Sequence, residues 1–197
     1  LERADGLSAD ARRDIQLAKD WGLASDTPPL VVPGSGGLNL EAIRKAKPAE
    51  TRRYNIPDAS TWIINPRGLR PGSVHQKAFF AAIPEILAVR PEAVFICPGL
   101  KGIHAVEGWV QTLGIGDRTF LLPHLPQEEL WALMKRAALF VSPSSHDGTP
   151  NSFLEALACG WFPVVGDIEA LREWIQDKEN GLLVDPQDPY ALAEGIL

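Results

Sequence analysis

From residue 60 onward, short apolar runs alternate with stretches whose apolar positions recur every three or four residues. TWIIN at 61–65 reads as a strand, and the next periodic stretch predicts a helix over 76–89. AVFICPG at 93–99 is a second strand, closed by Pro-Gly. The helical segment after it carries Val106, Val110 and Leu113 and stops at Gly114, a residue suited to the left-handed close of a helix. RTFLLP predicts a strand and QEELWALMKRA a helix. LFVSPS at 139–144 is a strand, and SFLEALACG a helix ending at Gly160. FPVVGD, ALREWIQDKENG and GLLVDP predict a strand, a helix and a last short strand. These strands are apolar throughout instead of alternating, which predicts burial on both faces. Strands and helices in strict alternation with short connections predict an α/β fold, a Rossmann-like, doubly wound parallel sheet.

The first 59 residues read differently. A polar helix is predicted over 8–21, followed by the turn-rich SDTPP, the strand LVVP and then PGSGG at 33–37. A charged, proline-containing stretch with few apolar residues runs over 41–57. Residues 1–37 are therefore expected to be the tail of a preceding domain, 38–59 a connector, and 60–197 the principal domain. Both chain ends fall within helical patterns, so the chain is expected to be a piece of a longer one. PGSGG is no dinucleotide fingerprint, because no GxGxxG follows a strand and opens a helix. It reads as a flexible approach to an interdomain hinge.

Composition narrows the function classes. The chain has 197 residues, 45% hydrophobic and 22% charged, as in ordinary globular proteins. Its 25 acidic and 19 basic residues leave a net charge of −6, and no basic run is present, which argues against nucleic acid as partner. A small anionic ligand stays open, since a pocket needs only one or two cations and some backbone N–H groups. No apolar stretch approaches the roughly 18 residues of a membrane span, and the charged N-terminus lacks the apolar core of a signal peptide. Cys97 and Cys159 have no metal-type spacing and read as buried core thiols, in keeping with a reducing compartment. The four histidines show no ligand spacing, and no DxD-type carboxylate pair points to a metal.

The chemistry is concentrated in SSHDGTPNSFLEALACG at 144–160. A strand ends in small polar residues, a loop carries Asp147, Gly148 and Pro150, and a helix begins near Asn151 or Ser152. In a doubly wound sheet this loop lies at the C-terminal strand ends, where ligands bind. The helix start offers unpaired N–H groups and partial positive charge for a phosphate. Glu155, one turn in, is placed to accept hydrogen bonds from a vicinal diol such as a ribose. The same residues also read as a capping box, Ser152-x-x-Glu155, with Glu155 bonded back to the helix start. Asp147-Gly148 reads equally as an ordinary turn. Spacing alone leaves both readings standing.

The stretch resembles the signature of glycosyltransferase family 4, the group 1 glycosyltransferases of GT-B architecture. That signature is an acidic residue, Gly, any residue and Pro, with a Glu eight positions after the first, then Ala and a small-residue helix end. Asp147, Gly148, Thr149, Pro150, Glu155, Ala156 and Gly160 stand in those places. Downstream, Pro163-Val164-Val165, Glu173 and NGLLVDPQDPYALA at 180–193 are similar to later family motifs. Upstream, Pro98-Gly99 and the block from LGI to FLLPHLPQEEL fit as well. The resemblance covers about 61–197 in order.

It implies that Glu155 holds the ribose hydroxyls of a nucleotide and Asp147 faces the donor sugar. Backbone N–H groups among Thr149, Pro150, Asn151, Ser152, Phe153 and Leu154 would cradle sugar and diphosphate, with Gly148 and Gly99 beside them. His124 and Leu125 would lie by the base. Arg70 and Lys77 are the candidates for the diphosphate cations, with Arg67 competing for the arginine role. Two departures stand out: Asp147 where Glu is usual, one methylene shorter, and no Lys-Gly pair after the first strand.

The implied function is a retaining, metal-independent, cytoplasmic hexosyltransferase, with residues 60–197 binding a UDP-, GDP- or ADP-type sugar donor and no separate cofactor. A glycan, lipid or small-molecule acceptor would dock on the missing N-terminal domain, and peripheral membrane contact is left open for the full-length enzyme. The fragment is then expected to be inactive alone. The competing class is an inactive nucleotide-binding or assembly module of the same fold, favoured by the two departures. A nucleotide-sugar epimerase or dehydrogenase would need an N-terminal glycine fingerprint and Tyr-x-x-x-Lys, and neither occurs.

Overall fold

The computed structural model describes residues 5–23, 28–34, 37–57 and 60–197. Parts of the SDTPP and PGSGG stretches, the first four residues of the predicted domain tail and the end of the connector at Ala59 lie outside the described residues. Two sheets form. The small one pairs β1 (Leu7–Ala9) with β2 (Pro29–Val31) in parallel, bridged by α1 (Arg12–Asp20). The large one has six parallel strands, in the order β5-β4-β3-β6-β7-β8. They are β3 (Thr61–Ile64), β4 (Ala93–Pro98), β5 (Thr119–Leu122), β6 (Leu139–Ser142), β7 (Pro163–Gly166) and β8 (Leu182–Val184).

The order reverses between β3 and β6, the two central strands. Chain propagation runs outward from β3 to β5, then returns to the middle at β6 and runs to β8. In doubly wound sheets such a reversal marks the crevice where ligands bind, beyond the C-terminal ends of β3 and β6.

Burial on both faces explains the unbroken apolar strands. Trp62, Ile64, Val94, Ile96, Phe140 and Val165 join one core, while Ile63, Phe95, Cys97, Val141 and Val164 join the other. Successive residues of one strand thus enter opposite layers, each needing a hydrophobic side chain. The first layer is covered by α5 (Gln127–Arg136) and α6 (Asn151–Ala158), the second by α3 (Gln76–Val89), α4 (His104–Thr112) and α8 (Pro189–Ile196). Among the described residues no helix is long and apolar enough to cross a membrane.

Three local expectations are corrected. The polar helix expected over 8–21 begins only at Arg12. Leu7, Ser8 and Ala9 instead pair with Pro29, Leu30 and Val31, a long-range ladder that outweighs local propensity. The helix expected over ALREWIQDKENG shrinks to α7 (Glu169–Arg172). Beyond it, Asn180 accepts from the Gln176 amide at 2.8 Å and donates to the Trp174 carbonyl at 3.0 Å. Asp177 accepts from the Leu183 amide at 2.9 Å. Such side-chain bonds offer the backbone an alternative to the helix. Cys97 is fully buried, and burial pushes its thiol far above its usual range, but Cys159 is only half-buried.

Residues 38–57 contain α2 (Leu40–Lys45), capped by Asn39, and the 3-10 turn η1 (Thr51–Tyr54). Ile43 and Ile56 are buried in the first core layer. The Ala49 amide bonds Ala132 at 2.8 Å, and Lys135 donates to the Arg44 and Ala46 carbonyls at 3.0 and 2.9 Å. The stretch is therefore docked along α5.

Candidate functional site

The site starts from Asn65, fully buried directly after β3. Its amide bonds Ile96 at 2.9 Å, and its side chain accepts from the Arg67 amide at 3.1 Å and donates to Gln76 at 2.8 Å. Gln76, first residue of α3, donates in turn to the Arg67 carbonyl. The loop between β3 and α3 is thereby folded back and tied at both ends. It is also laced to the loop after β6. The His75 amide bonds Pro143 at 2.7 Å, the Ser145 amide bonds Ser73 at 2.9 Å, and the His75 ring meets the Ser145 hydroxyl at 2.6 Å.

This framework aims Arg67 into the crevice. The residue is 8% exposed. Its guanidinium forms an ion pair with Asp147 and donates to the Ser152 hydroxyl at 3.2 Å, while its Nε has no partner. Burial pulls the guanidinium below its usual range; Asp147 opposes that fall and Arg70 adds to it. Arg70 and Lys77, the first-choice cations of the sequence reading, are both exposed. Arg67, the competitor, is the buried cation that reaches the signature loop. Electrostatics in sequence cannot rank three cations within eleven residues; the Asn65–Gln76 tie does so here.

On the loop itself, Gly148 leaves room for the Asp10 side chain, whose Cβ and Oδ2 would both lie 2.9 Å from an added Cβ. Thr149 is buried and donates to the Asp10 carbonyl at 3.0 Å. Helix α6 begins after Pro150, which has no N–H, and the amides of Phe153 and Leu154 bond the Pro150 carbonyl at 3.0 and 3.2 Å. The expected amide cradle therefore narrows to Thr149, Asn151 and Ser152. Phe153 is fully buried in the core, edge-on to Trp174, and Leu154 lies beneath Gly34. One further close approach holds the crevice floor: a Cβ on Gly166 would meet the Ser144 carbonyl oxygen at 1.9 Å.

The capping-box reading of Ser152 and Glu155 is overturned. Ser152 sits inside α6, and its hydroxyl accepts from Arg67 instead of a helix amide. Glu155, 7% exposed, accepts from the Gln127 side chain at the start of α5. Burial pushes its carboxyl above the usual range. The adjacent Trp131 indole, whose N–H closes no full hydrogen bond, pulls the other way. Gly99 adopts φ +77°, and its amide bonds Pro123 at 3.1 Å, bringing the β4 and β5 ends together. His124 is exposed and Leu125 half-buried on the first core layer.

Sequence reasoning missed Asn65, Gln76, Gln127 and Asp10. An Asn closing an apolar strand and a Gln opening a helix were visible signals, but their bond was not. An open cavity of about 680 Å³ lies away from this crevice, beside α2 and α5, lined in part by Lys45, Arg53, Tyr54 and Glu129. Arg53 and Tyr54 are both engaged by Glu129, at 2.6 and 3.1 Å, whereas Arg67 keeps a buried Nε without a partner.

A buried cation thus meets the start of α6 at the switch of strand order, and a buried carboxylate lies one turn further along that helix. The model of the family described as glycosyl transferases group 1 matches residues 54–197. The chain belongs to the group 1 glycosyltransferases. Among relatives, the D-inositol 3-phosphate glycosyltransferase of Thermobispora bispora is 30% identical over 170 residues, 81% of this chain and 40% of that protein. The O-antigen chain mannosyltransferase B of Escherichia coli is 35% identical over 91 residues, 46% and 21% of the two chains. This group 1 glycosyltransferase chain therefore spans less than half the length of either relative.

Solved structures agree on the GT-B fold. Anabaena HepE in complex with UDP and glucose superposes with a TM-score of 0.79 at 16% identity, over 97% of this chain and 52% of that one. The C-terminal domain of a group 1 family glycosyl transferase from Francisella tularensis gives 0.65 at 19% identity, over 81% and 86%.

Proposed function

We propose that this chain is the donor-binding half of a retaining glycosyltransferase of hexosyltransferase type, taking a UDP-, GDP- or ADP-sugar. The observation that carries the reading is the convergence of Arg67, Ser152 and the α6 start on one crevice, with Glu155 buried one turn further in. Residues 60–197 bind the donor, and residues 1–37 are the edge of the domain that carries the acceptor, joined through 38–59. In this reading Glu155 accepts the ribose hydroxyls, and the amides of Thr149, Asn151 and Ser152 face the diphosphate. His124 and Leu125 border the base.

When the glycosidic bond to the diphosphate breaks, negative charge grows on the leaving phosphate. Arg67 stabilises it from a nearly dry position, where each charge-assisted bond is stronger than in water. Exposed Arg70 and Lys77 add a screened contribution from the rim. These cations do the work a metal would do elsewhere, so the donor site operates without one. The acceptor reaches the sugar from the preceding domain, and the reaction belongs in the cytoplasm, in keeping with two free thiols.

The test is a thermal-shift screen of the chain against UDP, GDP, ADP and their sugar conjugates. One nucleotide at about 100 times its Kd stabilises the fold by about 2.7 kcal/mol, a rise of about 5–10 °C in Tm. No shift with any of them refutes the reading. Sugar transfer by the purified chain alone would refute the inactive-fragment part.

Gln127→Ala tests the ribose site through the residue that holds Glu155. Loss of that one hydrogen bond lowers affinity for the preferred nucleotide by about 3–10-fold, read by calorimetry. Unchanged affinity detaches Gln127 from the site.

A further inference from the structure

In the donor-binding reading Arg67 is the partner of the incoming phosphate, and in this structure Asp147 holds it. Arg67 is the fixed partner. Its backbone amide is held by Asn65 and its carbonyl by Gln76, and its side chain is 9% exposed. Asp147 is the more exposed partner, 20% against 9%. A buried guanidinium without an anion carries a large desolvation penalty, which its pairing with Asp147 offsets only in part. Two anions cannot hold the same Nη2 atom without repelling each other. The unpartnered Arg67 Nε marks bonding capacity that Asp147 and Ser152 leave unused.

We propose that Asp147 is an exchangeable internal counter-ion. It holds Arg67 until a donor arrives; the diphosphate then takes Arg67 and releases the carboxylate toward the sugar. This rests on the donor-binding reading above and adds an order to it: phosphate capture precedes sugar recognition.

The experiment compares the native chain with Asp147→Asn by calorimetric titration with inorganic pyrophosphate, UDP, GDP and ADP, and with the sugar conjugate of whichever nucleotide binds. The amide keeps the shape and removes the competing charge. The variant is expected to bind pyrophosphate at least about 3-fold more tightly, the scale of one part-exposed ion pair, while its ligand-free Tm falls. The extra affinity that the sugar adds to the nucleotide in the native chain is lost. Equal or weaker pyrophosphate binding by the variant overturns the exchange and leaves the donor reading intact wherever a nucleotide still binds. No binding of any nucleotide by either protein overturns both. If the variant does not fold, a crystal structure of the native chain with pyrophosphate decides the matter. Arg67 on a phosphate oxygen with Asp147 turned away supports the exchange, and Asp147 still seated on Arg67 overturns it.

Discussion

Replacing Glu155 by glutamine lowers the affinity for the donor nucleotide by about 100-fold, the loss of roughly 1.5 kcal/mol from each of two bonds accepted by a charged oxygen. The same change stabilises the free protein at neutral pH, because an ionised carboxylate 7% exposed is costly to bury. Both effects share one titration. Burial raises the folded-state pKa above the ordinary value of 4.5, so between those two values the folded chain holds more protons than the unfolded one. Stability therefore falls as pH rises through that window and stays lower above it. Nucleotide affinity moves oppositely, rising through the window as the carboxylate forms. Calorimetry and thermal melts from pH 4 to 8 read both trends, and the Glu155→Gln substitution flattens them. Equal nucleotide affinity in the native chain and the Glu155→Gln variant would remove Glu155 from the site.

Arg67→Ala has the second large effect. Donor affinity falls at least about 100-fold, since two charge-assisted bonds to phosphate are lost from a position with little water. The fold weakens too. Asp147 loses its partner while only 20% exposed, which costs about 1–3 kcal/mol, less than for a fully buried pair because water still reaches it. Arg67→Lys restores the charge but not the fork that spans Asp147 and Ser152, and recovers only part of the affinity. Asn65 and Gln76 hold the backbone of residue 67, so the loop survives either change. If Arg70→Ala or Lys77→Ala costs more affinity than Arg67→Ala, the phosphate lies at the rim and the assignment of Arg67 fails.

These two residues were not equally legible beforehand. Glu155 stood out by its spacing from Asp147 and its place one turn into a helix, although a capping box had the same pattern. Arg67 was one of three cations in a short loop. Only the pairing of Asn65 with Gln76, eleven residues apart, turns Arg67 inward and leaves Arg70 and Lys77 in water. The helix read over about 76–89 agrees with α3, because an apolar stretch of 14 residues is too long for a strand and tertiary contact supports it. The short α7 was not, because Asn180 and Asp177 bond to nearby backbone, and propensity does not register that competition.

By itself, the order of apolar strands and amphipathic helices determined a parallel doubly wound sheet, since strands buried on both faces leave no other arrangement for the helices. It also determined which loop follows the central strand β6, and with it the Asp147–Glu155 segment. The tertiary structure alone decided which cation serves that loop, that Asp147 is held as its counter-ion, and that Gln127 and not the helix start engages Glu155. Each of those is a contact between residues 28 to 85 positions apart. Local pattern carries no record of such contacts, because they form only when separate strand ends converge on one crevice.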